Sequence, residues 1–243
     1  MTTIAIIPAR LGSTRLPNKP LLDIDGLPMV VHTMKRTMMC KDIDEVYVAT
    51  CDQEIFDAVI KYGGNAVMTS KNHPTGTDRI IEAISGMKCD LVVNVQGDEP
   101  LVKPEHISDS IKPLIEDDTL QLTTICCKKT PTGNPDEVKL VRNVGGDVLY
   151  FSRSDIPSTL RVKHTEVLKQ CGLYCFRRDF LAEFAKWEQT PLEKIESVEL
   201  LRAIEKGYRV RAVEVSDFQA VDTEEQINMV RKRMKTDDLR KRY

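Results

Sequence analysis

Thr3-Ile-Ala-Ile-Ile-Pro8 runs directly into Ala9-Arg-Leu-Gly-Ser-Thr-Arg-Leu-Pro-Asn-Lys-Pro20, an apolar, largely β-branched run followed by a polar loop with three cations. A run this short and apolar reads as a buried strand. Three more of the same kind follow at residues 45–50, 66–69 and 91–96, separated by amphipathic segments at 29–40, 52–62 (Asp52 as N-cap) and 77–87. The alternation is βαβαβ, and right-handed crossovers then require a largely parallel sheet with helices on both faces. Ligands in such α/β sheets sit at the carboxyl ends of the strands. Chemistry is therefore sought in the loops after the first and fourth strands, residues 9–20 and 97–101.

A further helix is expected at 104–115, and from about residue 120 the pattern changes. Strands are expected at 122–128, 138–142, 148–152 and 171–176, joined by turns with Pro and Gly, as an inserted mixed or antiparallel layer would be. Helices at 178–186, 192–206 and 223–235, with a strand at 209–215, close the chain. The expectation is one domain over residues 1–243, with a nucleotide-binding half at 1–120 and an acceptor-binding, dimer-forming half at 121–243. The 35 basic and 37 acidic residues nearly cancel, so the overall charge gives no reason to expect nucleic acid or an anionic membrane as partner. The first residues carry no basic leader and no apolar run long enough for a signal or a span, and a cytoplasmic location is expected. Seven cysteines without a CxxC pair fit reduced thiols better than a disulfide framework. The four histidines carry no metalloprotease or triad signature and are taken as surface or packing residues.

Three constellations carry chemistry. In the first loop Gly12, Ser13 and Thr14 lie among Arg10, Arg15 and Lys19. Its backbone N–H groups and cations suit a polyphosphate, yet it is neither GxxxxGK[ST] nor GxGxxG. In the second, Asn94-Val-Gln-Gly-Asp-Glu-Pro100, a hydrophobic strand delivers Asp98 and Glu99 to the sheet edge. Magnesium takes one or two carboxylates together with water and phosphate oxygens, so Asp98 is a candidate ligand with Asp222 as the distant second. Asp222 also reads as the N-cap of the last helix, and the two roles are compatible. The third, Thr75-Gly-Thr-Asp-Arg79, opens a helix and suits either a base or ribose contact or simple capping.

Together these residues resemble the 3-deoxy-manno-octulosonate (Kdo) cytidylyltransferases over nearly the whole chain. The resemblance runs through Ile7 to Leu21, Met68-Thr-Ser70, Thr75 to Arg79, Asn94 to Pro100 and Asn134-Pro-Asp-Glu-Val-Lys139. It continues in Leu149-Tyr-Phe-Ser-Arg-Ser-Asp-Ile-Pro157, Pro191-Leu-Glu193 and Val221-Asp-Thr223. It implies a Rossmann-like nucleotidyltransferase fold with an inserted dimerisation layer, acting as a magnesium-dependent homodimer. The implied reaction joins CTP and a small 2-keto-3-deoxy sugar acid into a CMP-sugar and pyrophosphate, for bacterial surface polysaccharide or lipopolysaccharide synthesis. Carried over position by position, Ala9, Arg10, Arg15 and Lys19 hold the triphosphate, and Thr75, Gly76, Arg79 and Gln96 the cytidine. Asp98 and Asp222 bind magnesium, while Arg153, Gln170, Tyr174 and Glu199 belong to the acceptor pocket. Arg10, Lys19 and Asp98 are the candidate catalytic groups, acting by position and charge on an in-line attack of the anomeric hydroxyl at the α-phosphorus. Whether metal or a base takes the hydroxyl proton stays open at this level.

Two departures bear on the acceptor. Gln170-Cys-Gly-Leu-Tyr174 has Gln where the family usually has His, and Val198-Glu-Leu-Leu-Arg202 has Leu200 where it usually has Gln. Losing an amide removes a partner for a substrate hydroxyl, which points to a Kdo variant or related acid as acceptor. Asn18 in place of the usual Gly is milder, because Asn also tolerates the left-handed region. A sugar-1-phosphate nucleotidylyltransferase shares the sheet and loop, and a non-catalytic nucleotide-binding module is the alternative of another class. A glycosyltransferase is disfavoured because Asp98-Glu-Pro is not a DxD.

Overall fold

In the computed structural model, described here for residues 1–12, 16–73, 75–158, 161–162 and 165–243, the chain divides into two compact units. The first comprises Met1–Ser108 and Gln219–Tyr243, the second Asp109–Phe218. In the first unit, strands β1 (Thr3–Ala9), β4 (Glu45–Thr50), β5 (Asn65–Met68) and β6 (Leu91–Val95) form parallel pairs in the order β6-β1-β4-β5. The hairpin strands β2 (Asp23–Ile24) and β3 (Leu27–Pro28) precede β4 in the chain. Ile4 to Ile7 and Leu91 to Val93 are fully or almost fully buried, which is why these strands read as continuous apolar runs rather than alternations. Helices α1 (Met29–Thr37), α2 (Gln53–Lys61) and α3 (Gly76–Ala83) pack on them.

The strand order places a switch point. From β1 the chain steps outward to β4 and β5, then returns to the other side of β1 for β6. The loops leaving β1 and β6 therefore diverge and leave a crevice at the carboxyl edge, the place where open α/β sheets bind ligands. Gly97 lies against this edge: a Cβ there would meet the Pro8 carbonyl oxygen at 3.0 Å.

The hairpin of β2 and β3 was not anticipated from the sequence. Its turn, Asp25-Gly26, has φ of 50° and 82°, as a two-residue type I′ turn requires. Ile24 from this hairpin joins Leu16, Met29, Leu101 and Val221 in a buried cluster with Ile227, Val230 and Met234 of the closing helix α8 (Glu224–Met234). Each side chain of this size contributes roughly 1.5–3 kcal/mol on burial. The cluster thus ties the segment before Asp222 to the loop that carries Lys19.

Helix α4 (Pro104–Glu116) contains the division between units. The second unit holds β7 (Leu122–Lys129), β8 (Lys139–Arg142), β9 (Val148–Ser152), β10 (Val167–Arg177) and β11 (Val210–Glu214). β11 runs parallel to β7, while β7 with β10, β10 with β8 and β8 with β9 are antiparallel, the mixed layer expected from the sequence. Helix α5 (Arg178–Phe184) brings Phe180 and Phe184 against Trp187.

The helix expected over 192–206 is two helices, α6 (Pro191–Glu196) and α7 (Leu201–Glu205). Ser197 between them is left-handed, with φ of 52°. The carbonyl oxygens of Glu196 and Ser197, which a continuous helix would give to later N–H groups, accept from Arg153 Nε (2.7 Å) and Nη2 (3.1 Å) instead. Across the break, Arg202 and Glu193 pair through two buried hydrogen bonds of 2.8 and 2.5 Å. No helix among the described residues is long and apolar enough to cross a membrane.

Candidate active site

A cleft of about 380 Å³ opens at the β1–β6 switch point of the first unit, within the size range of small-ligand sites. Ala9, Arg10, Lys19, Thr75, Gly76, Arg79, Gln96, Asp98 and Asp222 all line it. Arg15, with Ser13 and Thr14, lies outside the described residues.

Lys19 sits at the centre of the polar contacts. It begins a short 3-10 turn, Lys19–Leu21, entered through Asn18 at φ 55°, so Asn does tolerate the left-handed conformation here. Its ammonium donates to Asp98 Oδ2 (2.6 Å), to the Val221 carbonyl (2.8 Å) and to Asp222 Oδ1 (3.1 Å). Burial works against this charge, but Asp98 and then Asp222 outweigh it and hold the Lys19 pKa above the ordinary lysine value. The Val221 N–H donates to the Asp98 carbonyl at 3.0 Å, so the backbone itself sets Asp222 beside Asp98.

Asp222 is not the cap of α8. Thr223 is, with its hydroxyl accepting from the Gln226 N–H at 3.2 Å and the Gln226 side chain accepting from the Thr223 N–H at 3.1 Å. The shift by one residue directs the Asp222 carboxylate to Lys19. Two carboxylates that already share one cation are a hard-oxygen donor set, and among the described residues no third His, Cys, Asp or Glu completes a metal cluster with them. Such a pair fits magnesium, which keeps most of its coordination for water and phosphate oxygens.

Thr75 caps α3 in a capping box. Its Oγ1 accepts from the Asp78 N–H (3.2 Å) and donates to Asp78 Oδ2 (2.7 Å), so the hydroxyl serves the helix while the helix N-terminus opens on the cleft. Arg79 is buried, with Nη1 donating to Thr69 Oγ1 and to the Ser70 carbonyl (3.3 Å). Gln96 Nε2 donates to Asn94 Oδ1 at 3.3 Å. Pro8, Met29, His73 and Gly97 also line the cleft and were not nominated by the sequence.

Asp52 is the N-cap residue expected from the sequence, and its side chain has a further role. It occupies the N-cap position of α2, but its side chain makes no capping bond. Oδ2 instead accepts the Leu11 N–H at 2.8 Å, pinning the loop after β1 one residue after Arg10. Nothing in the local pattern signals a contact across 41 residues.

The four acceptor candidates all lie in the second unit. Gln170 and Tyr174 stand on β10, on either side of a break in its register with β7. The Arg153 guanidinium gives its nitrogens to the carbonyls of Pro135 (2.8 Å), Glu196 and Ser197. Glu199 follows that turn, with Oε1 3.8 Å from Arg202 Nη2. Leu200 is buried in the core. A groove of about 810 Å³ in this unit is lined by none of the four.

The cytidylyltransferase family model matches residues 4–218. This chain belongs to the cytidylyltransferase family. The 3-deoxy-manno-octulosonate cytidylyltransferase of Geobacter metallireducens is 42% identical over 95% of this chain and 96% of its own. The Escherichia coli protein of that name is 39% identical over 88% of this chain and 87% of its own. Among solved structures, a CMP:2-keto-3-deoxy-manno-octonic acid synthetase complexed with CTP superposes with a TM-score of 0.92 at 37% identity, covering 97% of this chain and 99% of the other. A nucleotidyl transferase from Methanothermobacter thermautotroptrophicus, 15% identical with a TM-score of 0.64, shares the fold. As a cytidylyltransferase the chain is a nucleotide-using transferase. Arg10, Lys19 and Asp98 line one cleft of its first unit.

Proposed function

We propose that this cytidylyltransferase transfers CMP from CTP to Kdo or a close 2-keto-3-deoxy sugar acid, releasing pyrophosphate. The observation that carries the reading is the convergence of Lys19, Asp98 and Asp222 in a cleft faced by Arg10 and by the N-terminus of α3. The α3 terminus and Gln96 suit the nucleoside, and the loop after β1 suits the triphosphate.

The anomeric C2 hydroxyl attacks the α-phosphorus in line. A C–O–P bond forms, the bond from the α-phosphorus to the α,β-bridging oxygen breaks, and pyrophosphate leaves while the hydroxyl proton passes to solvent. Arg10 and Lys19 stabilise negative charge on the phosphates as it shifts, by position rather than by covalent chemistry. Asp98 and Asp222 would hold magnesium, which supplies charge neutralisation at the phosphate oxygens when bound. Lys19 keeps the two carboxylates compensated before substrate arrives.

For the acceptor, Gln170, Tyr174 and Glu199 face the sugar acid in this reading, and Arg153 sets the Glu196–Ser197 turn before Glu199. Leu200 is buried in the core, so the acceptor preference is placed on Gln170, where the family usually has His. The same reading includes a homodimer formed through the second unit, where Val144, Leu149 and Val162 are exposed, and a cytoplasmic location beside the CTP supply. Light scattering tests the dimer.

The deciding experiment is magnesium-dependent pyrophosphate release from CTP, ATP, GTP and UTP with Kdo, its 8-amino analogue, nine-carbon nonulosonates and sugar 1-phosphates. Release with CTP and one acid in clear preference is expected. Equal turnover of every acid would remove the specificity argument, and release only with sugar 1-phosphates would replace the reaction.

A further inference from the structure

Cys127 of β7 and Cys171 of β10 place their sulfur atoms 3.7 Å apart, and both side chains are buried. Cys127 stands opposite Lys169, and Cys171 follows two residues later on the same antiparallel pair. The Cys171 thiol donates to Cys127 Sγ, and the Lys169 ammonium, paired with Glu137 at 3.1 Å, lies near both. That S–H donor, helped by Lys129 and Lys169 against the cost of burial, draws the Cys127 pKa below the ordinary thiol value. Cys126, next in the chain, is pushed the other way, up to about 12, by burial.

The pair also sits at the irregularity of the sheet. Gln170 is opposite Cys126 and Tyr174 opposite Thr124, so Cys171, Gly172 and Leu173 stand against Ile125 alone. Bulges of this kind aim the side chains that flank them. Here the flanking residues are Gln170 and Tyr174, which the proposed function places at the sugar acid.

We propose that Cys127 and Cys171 are a redox modification site, closing to a reversible disulfide with a hydroperoxide as oxidant and weakening acceptor binding by drawing in the bulge. The Cys127 thiolate attacks one peroxide oxygen, the O–O bond breaks, and the released hydroxide takes a proton to become water. Cys171 sulfur then attacks the sulfenic sulfur, the S–O bond breaks, and the hydroxide leaves as water with the Cys171 proton. Two thiols and one hydrogen peroxide give one disulfide and two waters, with two electrons passing to the peroxide. The sulfurs close to about 2.05 Å, which moves the Cys171 end of the bulge. The coupling to acceptor binding rests on the assignment of Gln170 and Tyr174; the disulfide itself does not.

The test treats the full-length protein with hydrogen peroxide, blocks remaining thiols with N-ethylmaleimide and maps the digest by mass spectrometry. A Cys127–Cys171 linked peptide, two hydrogens lighter than the pair and lost on dithiothreitol treatment, is expected. With it the KM for Kdo should rise at least about tenfold, the scale of a misplaced binding group, with the KM for CTP unchanged. Cys127→Ser and Cys171→Ser should keep basal turnover and lose the peroxide response. Absence of the linked peptide in the wild-type protein overturns the proposal whatever the variants do, as does equal peroxide sensitivity in Cys127→Ser. A linked peptide with a changed KM for CTP and not for Kdo upholds the modification site and overturns its coupling to the acceptor.

Discussion

Lys19 Nζ and Asp98 Oδ2 lie 2.6 Å apart, joining the loop after β1 to the loop after β6 across 79 residues of sequence. With Asp222 on its other side, the ammonium holds the ground that a divalent cation would share. Lys19→Met leaves two carboxylates facing each other without a protein cation. Manganese affinity in the absence of nucleotide should therefore rise, while turnover falls about 10²-fold or more for loss of one transition-state donor. Calorimetric titration with manganese and pyrophosphate release read the two effects separately. Unchanged metal affinity would mean that Lys19 and the cation do not compete. Asp98→Asn should lose orders of magnitude in turnover with the fold intact, and near-normal turnover would remove Asp98 from the mechanism.

The Asp52–Leu11 contact makes a smaller claim. Asp52→Ala removes the acceptor for a loop N–H, a charge-assisted bond worth about 1.5–3 kcal/mol, and the loop it frees carries Arg10. The KM for CTP should rise about tenfold or more, since 1.4 kcal/mol is one decade. Asp52→Asn, which keeps an oxygen, should recover much of it. Equal CTP kinetics in wild type and Asp52→Ala would show that the loop orders without this bond.

These two contacts also mark the limit of what was legible beforehand. Strands β1 and β6 were readable because strands buried on both faces are continuous apolar runs, and the switch point then fixed which loops border the cleft. The loops that border the cleft follow from that, and Thr75, Arg79 and Gln96 are among the residues that line it. Asp222 and Thr223 both satisfy capping spacing, and only the backbone path through Val221 decides between them. The break at Ser197 was invisible because Arg153, which takes up the freed carbonyls, lies 44 residues away. The hairpin at Asp25-Gly26 escaped because strands of two residues carry no periodicity.

In the second unit, Glu193 and Arg202 form a two-bond ion pair that is nearly shut off from solvent. It spans the break between α6 and α7, and Arg202 also lies 4.6 Å over the Phe184 ring. Glu193→Ala takes the nearest carboxylate from a buried guanidinium and should cost about 3 kcal/mol, while the double change Glu193→Leu with Arg202→Met should cost less. Urea denaturation of the two variants compares them. A double variant no better than the single would mean that the pair adds net stability here rather than only compensating its own burial.

His32 makes the stability of the protein depend on pH. Its ring is buried on α1, with Nε2 donating to the Ile24 carbonyl at 2.6 Å, which leaves Nδ1 to accept from the Tyr243 hydroxyl at 2.8 Å. A proton on Nδ1 would break the second bond, and burial first, then Arg240 and Arg36, lowers the pKa from 6.5 to about 4 against the opposing pull of the Ile24 carbonyl. Between those values the unfolded chain binds a proton that the folded chain refuses, so stability rises with pH across that window. The contribution is complete above about pH 6.5 and is lost as pH falls toward 4, on the order of 3 kcal/mol. His32→Gln cannot titrate. Denaturant midpoints at pH 7.5 and 4.5 should therefore fall further for the wild-type protein than for His32→Gln, because the acidic groups common to both cancel in the comparison. Parallel loss in the two proteins would place His32 outside the acid response and leave the carboxylates to account for it.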